Sequence, residues 1–270
     1  MVTYFAEGDT VSGIFALTPA ESKRLIAKAV VRLPEVKRAW EQGRIVIGNG
    51  TTTGFVAAEL LGNDLPWFNF CAGLICDGML ASTRKEDRML PFVFEKGKVL
   101  EGGTRDLVSE LKGGDVFVKS GNAVDVDGNV GVLVGDEKGG TIGTSIGVLA
   151  ARGIHLVCPV GLEKLVPSVL DAAPRLGISK FKYAIGNALG YIPVTFAHTI
   201  TEIQALEVLT GVTATHVASG GIGGSEGAVV LVVEGEDAAV SRTMKLVQEI
   251  KDSTKNIAKL GEITWRGVLK

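Results

Sequence analysis

The chain carries only three cysteines in 270 residues, and an odd number at these spacings gives no disulfide framework. Cys71 and Cys76 stand five positions apart with no histidine near them in sequence, which suits buried apolar thiols better than a metal site. Histidine is equally scarce: His155, His198 and His216 lie far apart, within or beside strand segments, and a buried, hydrogen-bonded ring is the expectation for each. Neither a metal nor a cofactor is expected. An excess of one charge is also missing. The formal net charge is -2 with no basic arm, which argues against a nucleic-acid partner. The start, MVTYFAEGDTVSG, lacks a basic stretch leading into an apolar one, and no run approaches the roughly 18 apolar residues of a membrane span. A cytoplasmic protein without a membrane partner is the expectation.

What is present is an ordinary globular composition, 46% hydrophobic and 21% charged, in a chain long enough for one large domain or two moderate ones. Thirty-six glycines and a positive mean hydropathy suggest short elements and tight turns, as in α/β proteins. TPAESKRLIAKAVVRL opens with Thr18 and Glu21 at capping-box spacing and Pro19 at the first helical position, with Leu25, Ile26, Ala29, Val30 and Leu33 on one face. Pro34 interrupts it, and EVKRAWEQG makes a second helix ending near Gly43. RIVIG then reads as a strand and TTTGFVAAELLG as a helix, and the alternation repeats. WFNFCAGLICDGML holds one or two buried strands, TRDLVSELKGG a helix, DVFVKSG a strand, GTIGTSIGVLAARG a helix and IHLVCPVG a strand. This order predicts a mainly parallel sheet with helices on both faces, over residues 1–184. From Tyr191 the order YIPVTF, TEIQALEVL, VTATHVAS, AVVLVVEG, EDAAVSRTMKLVQEI and EITWRG reads as βαββαβ, a ferredoxin-like α+β domain over residues 185–270.

In parallel sheets ligands sit at the carboxyl ends of strands. NGTTTG, SGNAVD and PVGLEKLVP all follow strands directly and are expected on one rim. In the first, Gly48, Asn49, Gly50, Thr51, Thr52 and Thr53 could present backbone amides, hydroxyls and a helix N-terminus to a phosphate or carboxylate. The same residues could equally be a sharp turn with a threonine-capped helix. The loop matches neither Walker A nor the dinucleotide fingerprint. In residues 114–144, Asn122, Asp125, Asp127 and Asn129 could be an Asx-rich turn and no more, with Asn122 the candidate ligand contact among them. Lys138, Gly139, Gly140 and Thr141 offer a second corner suited to an anion, or a solvated lysine in a hairpin. The glycine-rich stretch 218–229 is read foremost as an irregular hairpin connection, with a lid over a neighbouring cleft as the other reading.

IVIGNGTTTGFVAAEL resembles the phosphate-loop strand and helix of the ribose-5-phosphate isomerase A family, and DVFVKSGNAVDVDGN with DEKGGTIGT resembles that family's strand, acidic turn and Lys-Gly-Gly segment in the same order. GIHLVCPVGLEKLVPSVLDA is similar to a segment of lactate-utilisation (LUD) domains, which share the wider NagB/RpiA/CoA transferase-like superfamily. The resemblance covers residues 20–172 and implies an α/β sheet with a ligand cleft at its strand ends. It departs at the acidic turn, where only Asp125 matches plainly. A proton-transfer base is then sought among Asp125, Glu137 and Glu163, with Lys138 beside it, while Glu226 in GGSEGA is a loose analogue of the CoA-transferase glutamate. Glu163-Lys164 reads more simply as the cap of the next helix. The expectation is a small phosphorylated or carboxylated metabolite as ligand, and an isomerase-like or transferase-like enzyme, with room for a homo-oligomer. The alternatives are a non-catalytic sensor or assembly protein on the same fold, or a LUD-like protein of organic-acid metabolism.

Overall fold

The computed structural model describes residues 10–66, 69–100 and 108–254. It is an α/β chain built on a six-stranded mixed sheet. In chain order come β1 (Val11–Leu17), α1 (Pro19–Val30), α2 (Pro34–Gln42), β2 (Arg44–Ile47) and α3 (Thr51–Leu61). Two hairpins follow, β3 (Gly73–Cys76) with β4 (Met79–Ser82), and β5 (Phe92–Glu95) with β6 (Lys98–Leu100). Next are β7 (Val116–Val118), β8 (Ala123–Val124), β9 (Val130–Val134), α4 (Gly140–Arg152) and β10 (His155–Pro159). The last third holds a short α5 (Val169–Ala172), β11 (Gly190–Val194), β12 (His198–Ile200), α6 (Glu202–Thr210), β13 (Thr213–Gly220), β14 (Ala228–Gly235) and α7 (Asp237–Thr254).

The large sheet runs β12-β10-β7-β2-β5-β6. Its first four strands are parallel, and β5 and β6 add an antiparallel edge. Strand alternation sends successive side chains to opposite faces. Ile45, Ile47, Val116, Val118 and Val157 therefore join one buried core with α1, α2 and α3. Val46, Phe117, Leu156 and Cys158 join another with Ile142 and Leu149 of α4 and Val130 and Val132 of β9. Helices cover the first face, but the second is shared between α4 and the small antiparallel sheet β11-β9-β8.

The predicted boundary at residue 184 is crossed by three strand pairings. β1 pairs with β14 from Val11↔Gly235 to Leu17↔Val229, β11 pairs with β9, and β12 pairs with β10. The strand expected over 191–196 to open a ferredoxin-like unit is β11 (Gly190–Val194), which pairs with β9 instead. Its Tyr191 hydroxyl occupies the space where a Cβ on Gly131 of β9 would stand, so β11 and β9 close on each other as only a glycine permits. The C-terminal helices instead belong with the antiparallel sheet β1-β14-β13, and the first core runs unbroken from Phe15 and Leu231 to Ile45. The proposed last strand EITWRG and the start of TRDLVSELKGG lie outside the described residues.

Local chemistry explains the element ends. Thr18 and Glu21 form the expected reciprocal cap of α1, and Lys251 of α7 donates to Glu21 Oε2 at 3.1 Å, tying the last helix to the first. The strands of LICDGML lie in a surface hairpin rather than a buried sheet, and Asp77 and Gly78 both take positive φ at its two-residue turn. Lys96 and Gly97 do the same between β5 and β6. No helix among the described residues is long and apolar enough to cross a membrane.

Candidate functional site

At the carboxyl end of β2 the chain enters the NGTTTG turn under tight constraint. Gly48 N–H donates to Val118 O at 2.9 Å and Gly50 N–H to Phe70 O at 2.9 Å. Gly50 has an extended backbone that any residue could adopt, yet a Cβ there would stand 2.1 Å from Ser120 Oγ. Glycine is needed for the close approach of two loops. Thr52 and Thr53 are fully buried. The Thr53 hydroxyl donates to Gly50 O at 3.0 Å, whereas Thr52 Oγ1 is buried without a hydrogen bond, and no side chain caps α3. The turn reading thus explains the glycines, and it leaves an uncapped helix N-terminus with an unused hydroxyl.

The three post-strand loops meet. Lys119, the residue after β7, donates from Nζ to Asn49 O and to Ser120 O, each at 3.1 Å. Its burial pulls the ammonium down to about 8. Lys164, in the 3₁₀ turn after β10, donates to Gly121 O at 3.3 Å. Val166 N–H donates to Val124 O at 2.8 Å, which closes the third loop onto the second. Parallel neighbours β2, β7 and β10 so bring their carboxyl ends to one place, as expected of this sheet type.

A compact group of ionisable side chains lies there. Glu163 folds back over Gly161, where a Cβ would fall 1.8 Å from Glu163 Oε2. Both Glu163 oxygens are buried without a hydrogen bond, and Lys164 Nζ stands 3.8 Å from Oε1. Glu202, the first residue of α6, is wholly buried and accepts a hydrogen bond from Leu162 N–H at 2.9 Å. Burial, and next the charge of Glu163, push its carboxyl up to about 7. Lys23, on the first turns of α1, is pulled below the usual lysine range by burial and then by Lys164, against the opposing pull of Glu163, Cys71 and Glu202. Burial raises the Cys71 thiol to about 11 and the Cys158 thiol to about 12, so neither is a thiolate at neutral pH. The group thus holds three ammonium groups, two carboxyls and two neutral thiols. It is suited to hold an anion and to move a proton.

The predicted residues divide. Glu163 and the 48–53 loop belong to this group. Asp125 lies beside it in a different role: its carboxylate accepts from Asp127 N–H, Asn129 N–H, Asn129 Nδ2 and Val169 N–H. Those bonds outweigh burial and hold it below the ordinary carboxylate range. With its lone pairs so engaged, Asp125 is a fastener of the 125–129 turn and of α5 rather than a base. Asn122 accepts from Leu133 N–H at 3.0 Å and braces β9. Glu137 and Lys138 are exposed, and no hydrogen bond or ion pair among the described residues links Lys138, Gly139, Gly140 or Thr141 to the 48–53 loop. Glu226 is exposed and accepts from Gly224 N–H within its own loop. Glu163 caps no helix; Ser168 caps α5.

The histidines are hydrogen-bonded as expected but not buried. His155 meets Arg38 at 3.0 Å, His198 meets Glu35 at 2.7 Å and His216 meets Ser219 at 2.8 Å; His155 and His198 are exposed and His216 is half-buried. The 218–229 stretch connects the antiparallel pair β13 and β14, and a Cβ on Gly227 would touch Pro19 and the Glu163 stem at 3.2 and 3.7 Å. A groove of about 250 Å³ lies apart from the group, around Trp40 of α2 and Glu59 of α3.

Sequence reasoning missed Lys23, Lys119, Glu202, Cys71 and Cys158 as members. Lys119 had a readable signal, a lysine directly after a three-residue apolar strand between two candidate loops. Glu202 sits in the first turn of α6, where acidic residues are common, and Lys23 in the second turn of α1, and only the packing of these helices distinguishes them. Compared with family models, curated proteins and solved structures, the chain finds no match.

Proposed function

We propose that the carboxyl ends of β2, β7 and β10 bind a small phosphorylated or carboxylated metabolite, and that Glu163 moves a proton on it, in an isomerase-like reaction. The observation that carries this reading is Glu163: a buried carboxyl with no hydrogen bond, beside Lys164 and facing Lys23. A carboxylate left so poorly solvated is costly to maintain for structure alone and is well disposed as a base. The ammonium groups of Lys23 and Lys164 supply charge for the ligand's anionic group, and the uncapped N-terminus of α3 with Thr52 supplies further donors. This extends the family resemblance noted in the sequence, with the acid–base work moved from the acidic turn to the loop after β10.

A non-catalytic sensor is the second reading, favoured by the structural commitment of Asp125 and by the hold of two carbonyls on Lys119. A thermal-shift panel of sugar phosphates, CoA esters and small carboxylates, followed by turnover assays on the binders, separates the two. For an enzyme, Glu163→Gln retains binding and loses turnover by about 100-fold or more. Unchanged turnover in that variant contradicts the assignment of Glu163, and binding without turnover in the wild type leaves the sensor.

A further inference from the structure

Glu163 and Glu202 come from different elements and meet inside the protein. Glu202 Oε2 is held by the amide of Leu162, the residue immediately before Glu163. Its Oε1 is buried without a hydrogen bond, the neighbouring Ser22 hydroxyl lying outside bonding geometry. Counting both side chains, three carboxyl oxygens are buried and unbonded. The groups facing them are Lys164 on the same loop, Lys23 and Ser22 on α1, and beyond Lys23 the Cys71 thiol. Two carboxylates so placed repel each other and lack the donors that would sustain two charges, so one must stay protonated. Glu163 has the nearer ammonium, and Glu202 lies deeper.

We infer that Glu163 and Glu202 hold a single proton between them below neutral pH, with Glu202, the deeper of the two, as the protonated member and Glu163 facing the lysines. The rise of the Glu202 carboxyl to about 7, caused by burial and then by Glu163, agrees with this order. Resting on the proton-transfer reading above, Glu202 is a positioning residue that sets the charge of Glu163 without touching substrate. In the step itself the C–H bond beside a substrate carbonyl breaks, the proton joins Glu163, and the electron pair moves to the carbonyl oxygen beside an ammonium group. Both carboxyls are then neutral. The proton of the hydroxyl on the deprotonated carbon passes to that carbonyl oxygen, the freed oxygen becomes the new carbonyl, and return of the Glu163 proton to the former carbonyl carbon restores the pair with nothing else consumed.

Infrared difference spectroscopy of the full chain in H₂O and D₂O tests the pair without any ligand. The expected result at about pH 6 is the carbonyl stretch of a buried protonated carboxyl that fades as pH rises past about 7 and is lost in Glu202→Gln. In Glu163→Gln the same band fades at lower pH, because the repelling charge is gone. No such band in the wild type, or a band unchanged by Glu202→Gln, overturns the inference. Should Glu202→Gln fail to fold, the wild-type titration and its shift in Glu163→Gln decide. Titration with inorganic phosphate under the same conditions addresses the anion site separately. The band without phosphate binding leaves the pair standing and removes support for the functional reading, and phosphate binding without the band does the reverse.

Discussion

Asp125 and Glu202 are both buried acids, and their surroundings send them in opposite directions. Four donors converge on Asp125, three of them backbone amides, so its charged form is the favoured one. The stability it contributes is present above the ordinary carboxylate range and is lost as pH falls through its lowered folded value. Asp125→Asn would turn an amide NH₂ toward donors and destabilise the fold by about 2 to 4 kcal/mol near neutrality. Measured by denaturant titration, that deficit should narrow on acidification, since the wild type then loses the same carboxylate. Glu202 behaves inversely. Its folded value near 7 lies above the usual 4.5, so the unfolded chain releases a proton that the folded chain retains, and stability falls as pH climbs between the two. Glu202→Gln removes that dependence. Its unfolding free energy relative to wild type should rise between about pH 5 and 8, by an amount on the order of 2 to 3 kcal/mol, as measured by denaturant titration. A difference independent of pH would show that Glu202 is not perturbed as described.

Elements were legible where a local rule acts alone. The α1 capping box, the strand RIVI and the helix Thr51–Leu61 follow from patterning and end chemistry visible in a few residues. The β5–β6 hairpin escaped, although Lys96-Gly97 at its turn is a two-residue connection with positive φ at both positions. Gly121 shows how far sequence spacing can go in the site loops. A Cβ there would stand 2.3 Å from Val130 Cγ1 and 3.1 Å from Ala123 O, a close approach that no local sequence pattern signals. Gly121→Ala therefore forces β8 and β9 apart beside Lys164's acceptor, and a loss of about 1 to 3 kcal/mol is expected in thermal or denaturant unfolding. A variant as stable as wild type would mean that the loop yields freely.

For the molecule as a whole, the α/β class was readable, because alternation of strands and helices constrains topology strongly, and the six-stranded sheet is mixed, four parallel strands with an antiparallel edge. The two-domain division was not. Pairing of β1 with β14 joins residues more than two hundred positions apart, and nothing in the local pattern of VSGIFAL names its partner. The same holds for the group of ionisable side chains: Glu163 and the 48–53 loop could be placed at strand ends because they follow strands, while Lys23 and Glu202 arrive on helices α1 and α6. Lysine 164 is the member of the group that most directly separates a ligand site from a set of structural contacts. Isothermal titration of the sugar phosphate or carboxylate that most raises the melting temperature should give at least a tenfold weaker affinity for Lys164→Met, because one ammonium contact in a desolvated site is removed. The exposed-lysine control Lys245→Met on α7 should bind as the wild type does. Equal affinity in Lys164→Met and wild type would contradict the placement of the anion at these strand ends.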